Sequence, residues 1–294
     1  MLTIMGATGN IGSKLVDRLL AKDLRVKVIG RSADRLQRFV DRGASAAVGD
    51  AADSAFLSQT FSGSNAVFTM IPPNYAAQDF LQYQNEIGRE IATAIEKSGV
   101  KHVVNLSSHG AHLHEKTGPI KGLREQEQRL NQLESVHILH LRPTFFMENL
   151  LMNIEMIKNM GINGSHILGN LPFAMIATED IAEVAAHHLC ERSFSGKTVR
   201  ELLGPRDISM EEVTRIIGEK IGKPDLKYVP FSREEYVNGL LQAGLTKDMA
   251  ELLAELDAGI NEQLFASGEP RTQESRTSTD FEQFADFFAQ VYKS

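Results

Sequence analysis

The chain has 294 residues, 42% hydrophobic and 23% charged, the profile of an ordinary globular protein long enough to build a full core without disulfide staples. Its net charge of -7 argues against a general nucleic-acid binder, which needs a basic surface to displace counterions. A single cysteine, Cys190, excludes an internal disulfide and fits a reducing cytoplasm, and no apolar run approaches the ~20 residues of a membrane span.

Leu2 to Met5 is a short apolar run closed by Gly6, so the chain reads as starting on a strand and a glycine turn rather than a secretory leader. Ile11 to Ala21 has helical periodicity, with Ile11, Leu15 and Leu19 on one face. Arg25 to Ile29 alternates as a strand, and Ser32 caps a second helix through Phe39 and Val40. Ala44 to Val48 is a third strand, closed by Gly49-Asp50, and a short helix covers Asp53 to Thr60. Asn65 to Ile71 is a fourth strand, stopped by Pro72-Pro73, since proline cannot donate to a ladder. A long helix spans roughly Ala77 to Lys97, a fifth strand His102 to Leu106, a charged helix Lys121 to Leu133 and a sixth strand Val136 to Leu141.

Strands alternating with helices call for a parallel sheet covered on both faces. The expected fold is therefore α/β: a doubly wound parallel Rossmann sheet with a smaller, mainly helical C-terminal lobe. Residues 1–150 form the nucleotide-binding domain, later strands between 165 and 205 join it, and residues 205–294 form the substrate lobe. In that lobe Ser209-x-x-Glu212 and Ser232-x-x-Glu235 read as capping boxes, and Thr279-x-x-Glu282 opens a last helix bearing Phe281, Phe284, Phe288 and Val291. The polar stretch Ser267 to Ser278 reads as a loop or an arm.

Ligands of such sheets sit at the carboxyl ends of the strands, beside the switch point. Gly6-Ala7-Thr8-Gly9-Asn10-Ile11-Gly12 lies there, between the first strand and the first helix. Gly6 permits the tight turn, Gly9 the close approach of a pyrophosphate, and Gly12 the packing of helix on sheet. The helix N-terminus offers N–H groups and positive partial charge to phosphates. The second strand ends in Gly30-Arg31, where an acid would select NAD; a guanidinium suits the 2′-phosphate of NADP(H), with Arg35 one turn on. Asp50 either touches adenine or caps the turn before the next helix. The backbone of Ile71 and Pro72 lines the ribose and pyrophosphate.

Three segments carry a resemblance. With the glycine turn, Leu106-Ser107-Ser108 and Leu141-Arg142-Pro143-Thr144-Phe145-Phe146-Met147-Glu148-Asn149, the chain resembles the NmrA-like branch of the atypical short-chain dehydrogenases. Ala177 to Ala182 and the Tyr228 to Tyr236 region are similar as well. That family contains NAD(P)H-dependent reductases of quinones and related small acceptors, and redox-sensing regulators that bind dinucleotide without turning it over. The resemblance implies that Ser107 and Ser108 approach the nicotinamide ribose. It places Pro143, Thr144 and Phe145 beside the nicotinamide ring, and Phe146, Asn149 and Phe173 around an acceptor pocket.

One departure stands out. Typical short-chain dehydrogenases carry Tyr-x-x-x-Lys on the helix after the fifth strand, and this chain has no tyrosine there. If Lys121 fills the lysine slot, Thr117 stands in the tyrosine slot and Glu125 follows one turn later. Lys121 then either touches the nicotinamide ribose or is a solvated surface lysine. His109 and His112, just past the serines, are candidate proton sources or plain loop histidines. With His114 and Glu115 they lack the further ligands of a metal site, so no metal is expected. Two readings result: an NADPH-dependent oxidoreductase acting on a small-molecule acceptor such as a quinone, and a dinucleotide sensor working through a protein partner. The Phe145-Phe146 pair and a complete small lobe favour the enzyme. Neither a membrane nor direct nucleic-acid binding is expected, and a homo-oligomer or a protein partner is left open.

Overall fold

The computed structural model describes residues 1–266 and 270–294. Seven strands form one all-parallel sheet in the order β3-β2-β1-β4-β5-β6-β10: β1 Leu2–Ile4, β2 Val26–Gly30, β3 Ser45–Val48, β4 Ala66–Thr69, β5 His102–Leu106, β6 His137–Pro143 and β10 Lys197–Leu202. The order reverses between β1 and β4, which opens the crevice where ligands of this architecture bind. The central strands are mostly apolar because both faces are covered: every residue of β1 and of β4 is buried, Thr3 and Thr69 included.

The helices between these strands are α1 Asn10–Leu20, α2 Ala33–Val40, α3 Ser54–Phe61, α4 Phe80–Ser98, α5 Ile120–Asn131 and α7 Thr178–Glu191. They bury two cores. One, on the α1 and α7 side, holds Leu15, Val16, Leu19, Ile181 and Leu189; the other, under α3 and α4, holds Leu57, Phe61, Ile87, Ile91 and Ile95.

After β6 the chain leaves the main sheet. β7 (Phe145–Phe146) pairs with β9 (Phe173–Ile176), which pairs antiparallel with β11 (Asp207–Ile208). A 3-10 helix, Met147–Asn153, leads into α6 (Ile154–Met160), and β8 (Ile162–Ser165) pairs with β12 (Lys227–Pro230). Of the strands expected between 165 and 205 to join the main sheet, β10 does and β9 does not. Strand β9 takes its partners from the two-residue β7 and β11, which are too short to leave a periodic trace in the sequence.

The remaining helices, α8 (Met210–Ile221), α9 (Arg233–Gln242), α10 (Lys247–Asn261) and α11 (Phe281–Lys293), make the C-terminal region helical. The capping box of Ser232 and Glu235 is complete. That of Ser209 is half formed, because the Glu212 carboxylate is drawn to Arg206 at 2.9 and 3.1 Å. The last helix is capped one residue later than the sequence suggests: Asp280 and Gln283 form its box, while Thr279 donates its N–H and hydroxyl to Asp180. Part of the polar stretch, residues 267–269, lies outside the described residues. Its later part runs beside the outer strand of the sheet: Leu203 N donates to Ser275 O at 2.8 Å and Arg200 Nε to Glu274 O at 2.9 Å. Among the described residues no helix is long and apolar enough to cross a membrane.

Candidate cofactor and acceptor site

The glycine turn follows β1 at the switch point. Gly6 has φ +65, a conformation open to glycine at little cost, and Gly9 N donates to Gly6 O at 2.9 Å. A Cβ on Gly12 would stand 2.1 Å from Gly6 O, so only glycine lets α1 start this close to the turn. Gly9 caps α1 with no side chain, which leaves the N–H groups of the first turn, those of Asn10, Ile11 and Gly12, facing outward for a ligand. Ala7 is buried beneath the turn; Thr8 is half-buried and Asn10 exposed.

Arg31 is exposed just past β2 and joins no ion pair among the described residues. It lines a cleft of about 450 Å³ with Asp50, Asn74 and Tyr83. Arg35 Nη2 reaches back to Thr8 O at 3.3 Å, joining the second loop to the glycine turn. Asp50 does two things: its Oδ1 accepts from Ala52 N at 2.9 Å within its own turn, and its side chain lines the same cleft. The residue capping α3 is Asp53. Beyond β4, Ile71 is buried and the Pro72 carbonyl accepts the Tyr83 hydroxyl at 2.8 Å. Burial raises the Tyr83 phenol above its ordinary value, against the pull of Arg31. The glycine cradle, the bare helix end and an unpaired guanidinium beside a cleft fit the phosphates and adenosine end of NADP(H).

The other half of the site follows β5 and β6. Ser107 is buried, its N–H bonded to Leu141 O at 2.8 Å. Its hydroxyl lies beside the Glu127 carboxylate without a hydrogen bond of full geometry. Thr144 turns its hydroxyl to Leu202 O at 3.3 Å, hence toward β10. Phe145 meets Phe173 edge to face, with centroids 5.6 Å apart.

Phe146 departs from the expectation. Neighbours on a strand point to opposite faces, so while Phe145 faces the core under α8 and α11, Phe146 packs against the Rossmann core. Asn149 is exposed on the 3-10 helix. Of the three residues expected around an acceptor pocket, only Phe173 is brought to Phe145.

Two further expectations need correction. His109 is buried, with Nδ1 2.6 Å from Glu201 Oε2 and Nε2 2.9 Å from Phe265 O. Its two nitrogens tie β10 and the turn after α10, at Phe265, to the loop after β5. Lys121 is taken up by α10: its Nζ sits 2.8 and 2.7 Å from the two oxygens of Glu255. The reason is local packing. A Cβ on Gly118 would stand 2.1 Å from Leu252 O, so α10 lies directly on the start of α5 and takes the lysine as a partner. His112 is exposed, its ring centroid 6.0 Å from that of His109. The surrounding atoms still strip part of its ring of water, which lowers its imidazole below the ordinary value, partly countered by Glu201. His114 accepts from Arg124 Nη2 at 2.7 Å. Among the described residues no group of three His, Cys, Asp or Glu side chains is arranged to hold a metal ion.

A charged network beneath this half has no signature in the sequence. Arg142, in the Leu-Arg-Pro segment, donates to both oxygens of Glu127 at 2.9 and 2.6 Å and to Glu201 at 3.3 Å. Burial alone would raise the Glu127 carboxyl, yet the Arg142 hydrogen bonds hold it below its ordinary value. Burial opposes the Arg142 charge too, and Glu127 and Glu201 overcome it, raising the guanidinium. The partners lie 15 and 59 positions from Arg142, a separation that no local pattern reveals.

The chain belongs to the NmrA-like family, whose model matches residues 1–285. An NAD(P)H azoreductase from Xenophilus azovorans is 27% identical over 88% of this chain and 86% of its own. The fold is shared with solved structures. The NADPH-dependent quinone oxidoreductase of Escherichia coli, complexed with NADPH, superposes with a TM-score of 0.82 at 21% identity, covering 98% of this chain and 99% of that one. The Citrobacter sp. triphenylmethane reductase complexed with NADP(H) superposes with a TM-score of 0.78 at 20% identity, covering 100% and 99%.

Proposed function

We propose that the protein is an NADPH-dependent oxidoreductase that reduces a quinone or a similar small, electron-poor acceptor. The observation that carries this reading is Arg31: a guanidinium unpaired among the described residues, just past the end of β2 and lining the cleft. It matches a 2′-phosphate and has no counterpart in a ribose hydroxyl. Gly6 to Gly12 hold the pyrophosphate, and Asp50, Ile71 and Pro72 border the adenosine side. Ser107, Pro143 and Phe145 border the nicotinamide, and the edge-to-face pair Phe145 and Phe173 offers the acceptor an apolar wall.

When bound, NADPH supplies a hydride, which with one added proton takes a quinone to its hydroquinone and leaves NADP⁺. The chain's own residues orient the two rings and exclude water, the main demand of a direct hydride transfer. His112, exposed beside the Glu201–His109 pair, or water reached past it, supplies the proton. The azoreductase, quinone oxidoreductase and triphenylmethane reductase are all named for conjugated acceptors that accept hydride, which supports the acceptor class.

The test is anaerobic mixing of protein and NADPH with simple benzoquinones and naphthoquinones, an azo dye and a triphenylmethane dye in parallel, followed by loss of the reduced-nicotinamide absorbance. Catalytic oxidation on quinones supports the assignment. Oxidation confined to the dyes would move the acceptor class, and oxidation on none of them would overturn the reading.

A further inference from the structure

Glu148 comes two residues after the aromatic pair, at the start of the 3-10 helix, and is 8% exposed. A buried carboxylate is costly unless each oxygen finds donors. Here Thr178 N donates to Oε1 and Oε2 at 3.1 and 3.0 Å, the Thr178 hydroxyl adds a short bond to Oε1, and Lys14 Nζ donates to Oε1 at 3.0 Å. Lys14 also donates to Thr178 Oγ1 at 2.7 Å, closing a three-residue ring of contacts. Thr178 opens α7, whose cap residue Ala177 has no side-chain oxygen to offer, so Glu148 supplies the missing acceptor and an anion at a positive helix end.

The partners matter because of where they sit. Lys14 lies on α1 two residues past Gly12, so it moves with the N–H groups of the pyrophosphate cradle. Glu148 is continuous with Phe145, the wall beside the nicotinamide. The two halves of the cofactor site otherwise come from loops on opposite sides of the switch point. Within this corner one buried carboxylate spans them. A plain helix cap would need Thr178 alone; the bond to Lys14 is what reaches the cradle.

We infer that Glu148 is a positioning residue for hydride transfer: through Lys14 and Thr178 it fixes the distance between the pyrophosphate cradle and the Phe145 wall, and so where the nicotinamide ring lies. The inference rests on the function proposed above. Misplacing reacting groups by about 1 Å costs on the order of 100-fold in rate, so a loosened tie is read mainly in kcat.

The experiment compares Glu148→Gln and Lys14→Met with wild type in the full chain. Lys14→Met leaves the Glu148–Thr178 cap whole and serves if Glu148→Gln fails to fold. Four quantities are read: affinity for 2′,5′-ADP, which occupies only the adenosine half; the emission of bound NADPH, which reports the nicotinamide seat; and kcat and KM on a benzoquinone. The expected result is 2′,5′-ADP affinity within about 2-fold, a shifted NADPH emission, and kcat lower by about 10- to 100-fold, with Lys14→Arg recovering most of both. Lower thermal stability with unchanged emission and kcat would make Glu148 a cap only and overturn the inference. If wild type itself turns over no acceptor, the function falls while the emission still decides the role of Glu148.

Discussion

Arg31 carries the cofactor assignment, and its removal is the sharpest single-residue test. Charge-assisted hydrogen bonds contribute about 1.5–3 kcal/mol each, so Arg31→Ala is expected to weaken NADPH binding by roughly 10- to 100-fold and to leave NADH binding nearly unchanged. Fluorescence titration of both cofactors checks this; an unaltered NADPH/NADH ratio would remove Arg31 from the site. Buried ionisable groups set the pH response. Burial raises Asp257, on α10, from 3.8 to about 7 and lowers His140 and His188 from 6.5 to about 4. The folded state therefore keeps a proton on Asp257 that the unfolded chain has lost, and stability falls as pH rises from about 4 to 7. The two histidines have the opposite sign: folding excludes their protons, and stability falls as pH drops from 6.5 toward 4. In wild type these slopes oppose each other below pH 6.5. Asp257→Asn is expected to unmask the histidine slope, up to about 1.4 kcal/mol per pH unit for each group. Melting temperatures from pH 4 to 8 check it: the variant should gain stability with pH more steeply than wild type up to 6.5, and parallel curves would contradict the Asp257 shift.

At the scale of elements, α10 is the part that sequence patterns misplace. Its packing on the start of α5 takes Lys121 into a partly exposed pair with Glu255 and brings Phe265 O to His109. Exposed ion pairs of this kind contribute about 0–1 kcal/mol. Lys121→Ala is therefore expected to leave kcat on a quinone within about 3-fold and to lower the melting temperature slightly; a collapse of kcat with intact NADPH binding would return the lysine to the nicotinamide ribose. Range decides what is legible in the sequence. The strands from Leu2 to Leu106 and their helices show in apolar runs, glycine turns and caps, because those signals are local. Gly6, Gly12 and Arg31 are legible for the same reason, each sitting where a strand ends. The fate of Lys121, His109 and Phe146 is not. Glu255 and Glu201 lie 134 and 92 positions away from Lys121 and His109, and the facing of Phe145 and Phe146 depends on a two-residue strand with no periodicity of its own.

For the whole molecule, the parallel sheet brings the loops after β1, β2 and β3 to one end, and those after β4, β5 and β6 to the same end across the switch point. One rim thus carries the glycine turn, the exposed Arg31 and the Phe145–Phe173 pair, which the proposed function reads as phosphate cradle, cationic selector and aromatic wall. The absence of a tyrosine ahead of Lys121, and the pairing of that lysine with Glu255, leave no acid–base pair of the short-chain dehydrogenase kind here. The function proposed above asks of this rim chiefly that it orient two rings. A binding module that senses the redox state of its nucleotide would share the cradle and Arg31 and differ in never consuming the cofactor. The most direct measurement is steady-state kcat/KM on a benzoquinone with NADPH and with NADH in parallel, alongside NADPH binding by fluorescence. The account predicts sustained oxidation with a clear preference for NADPH. Tight NADPH binding with no oxidation of either cofactor would contradict it and make the protein a sensor.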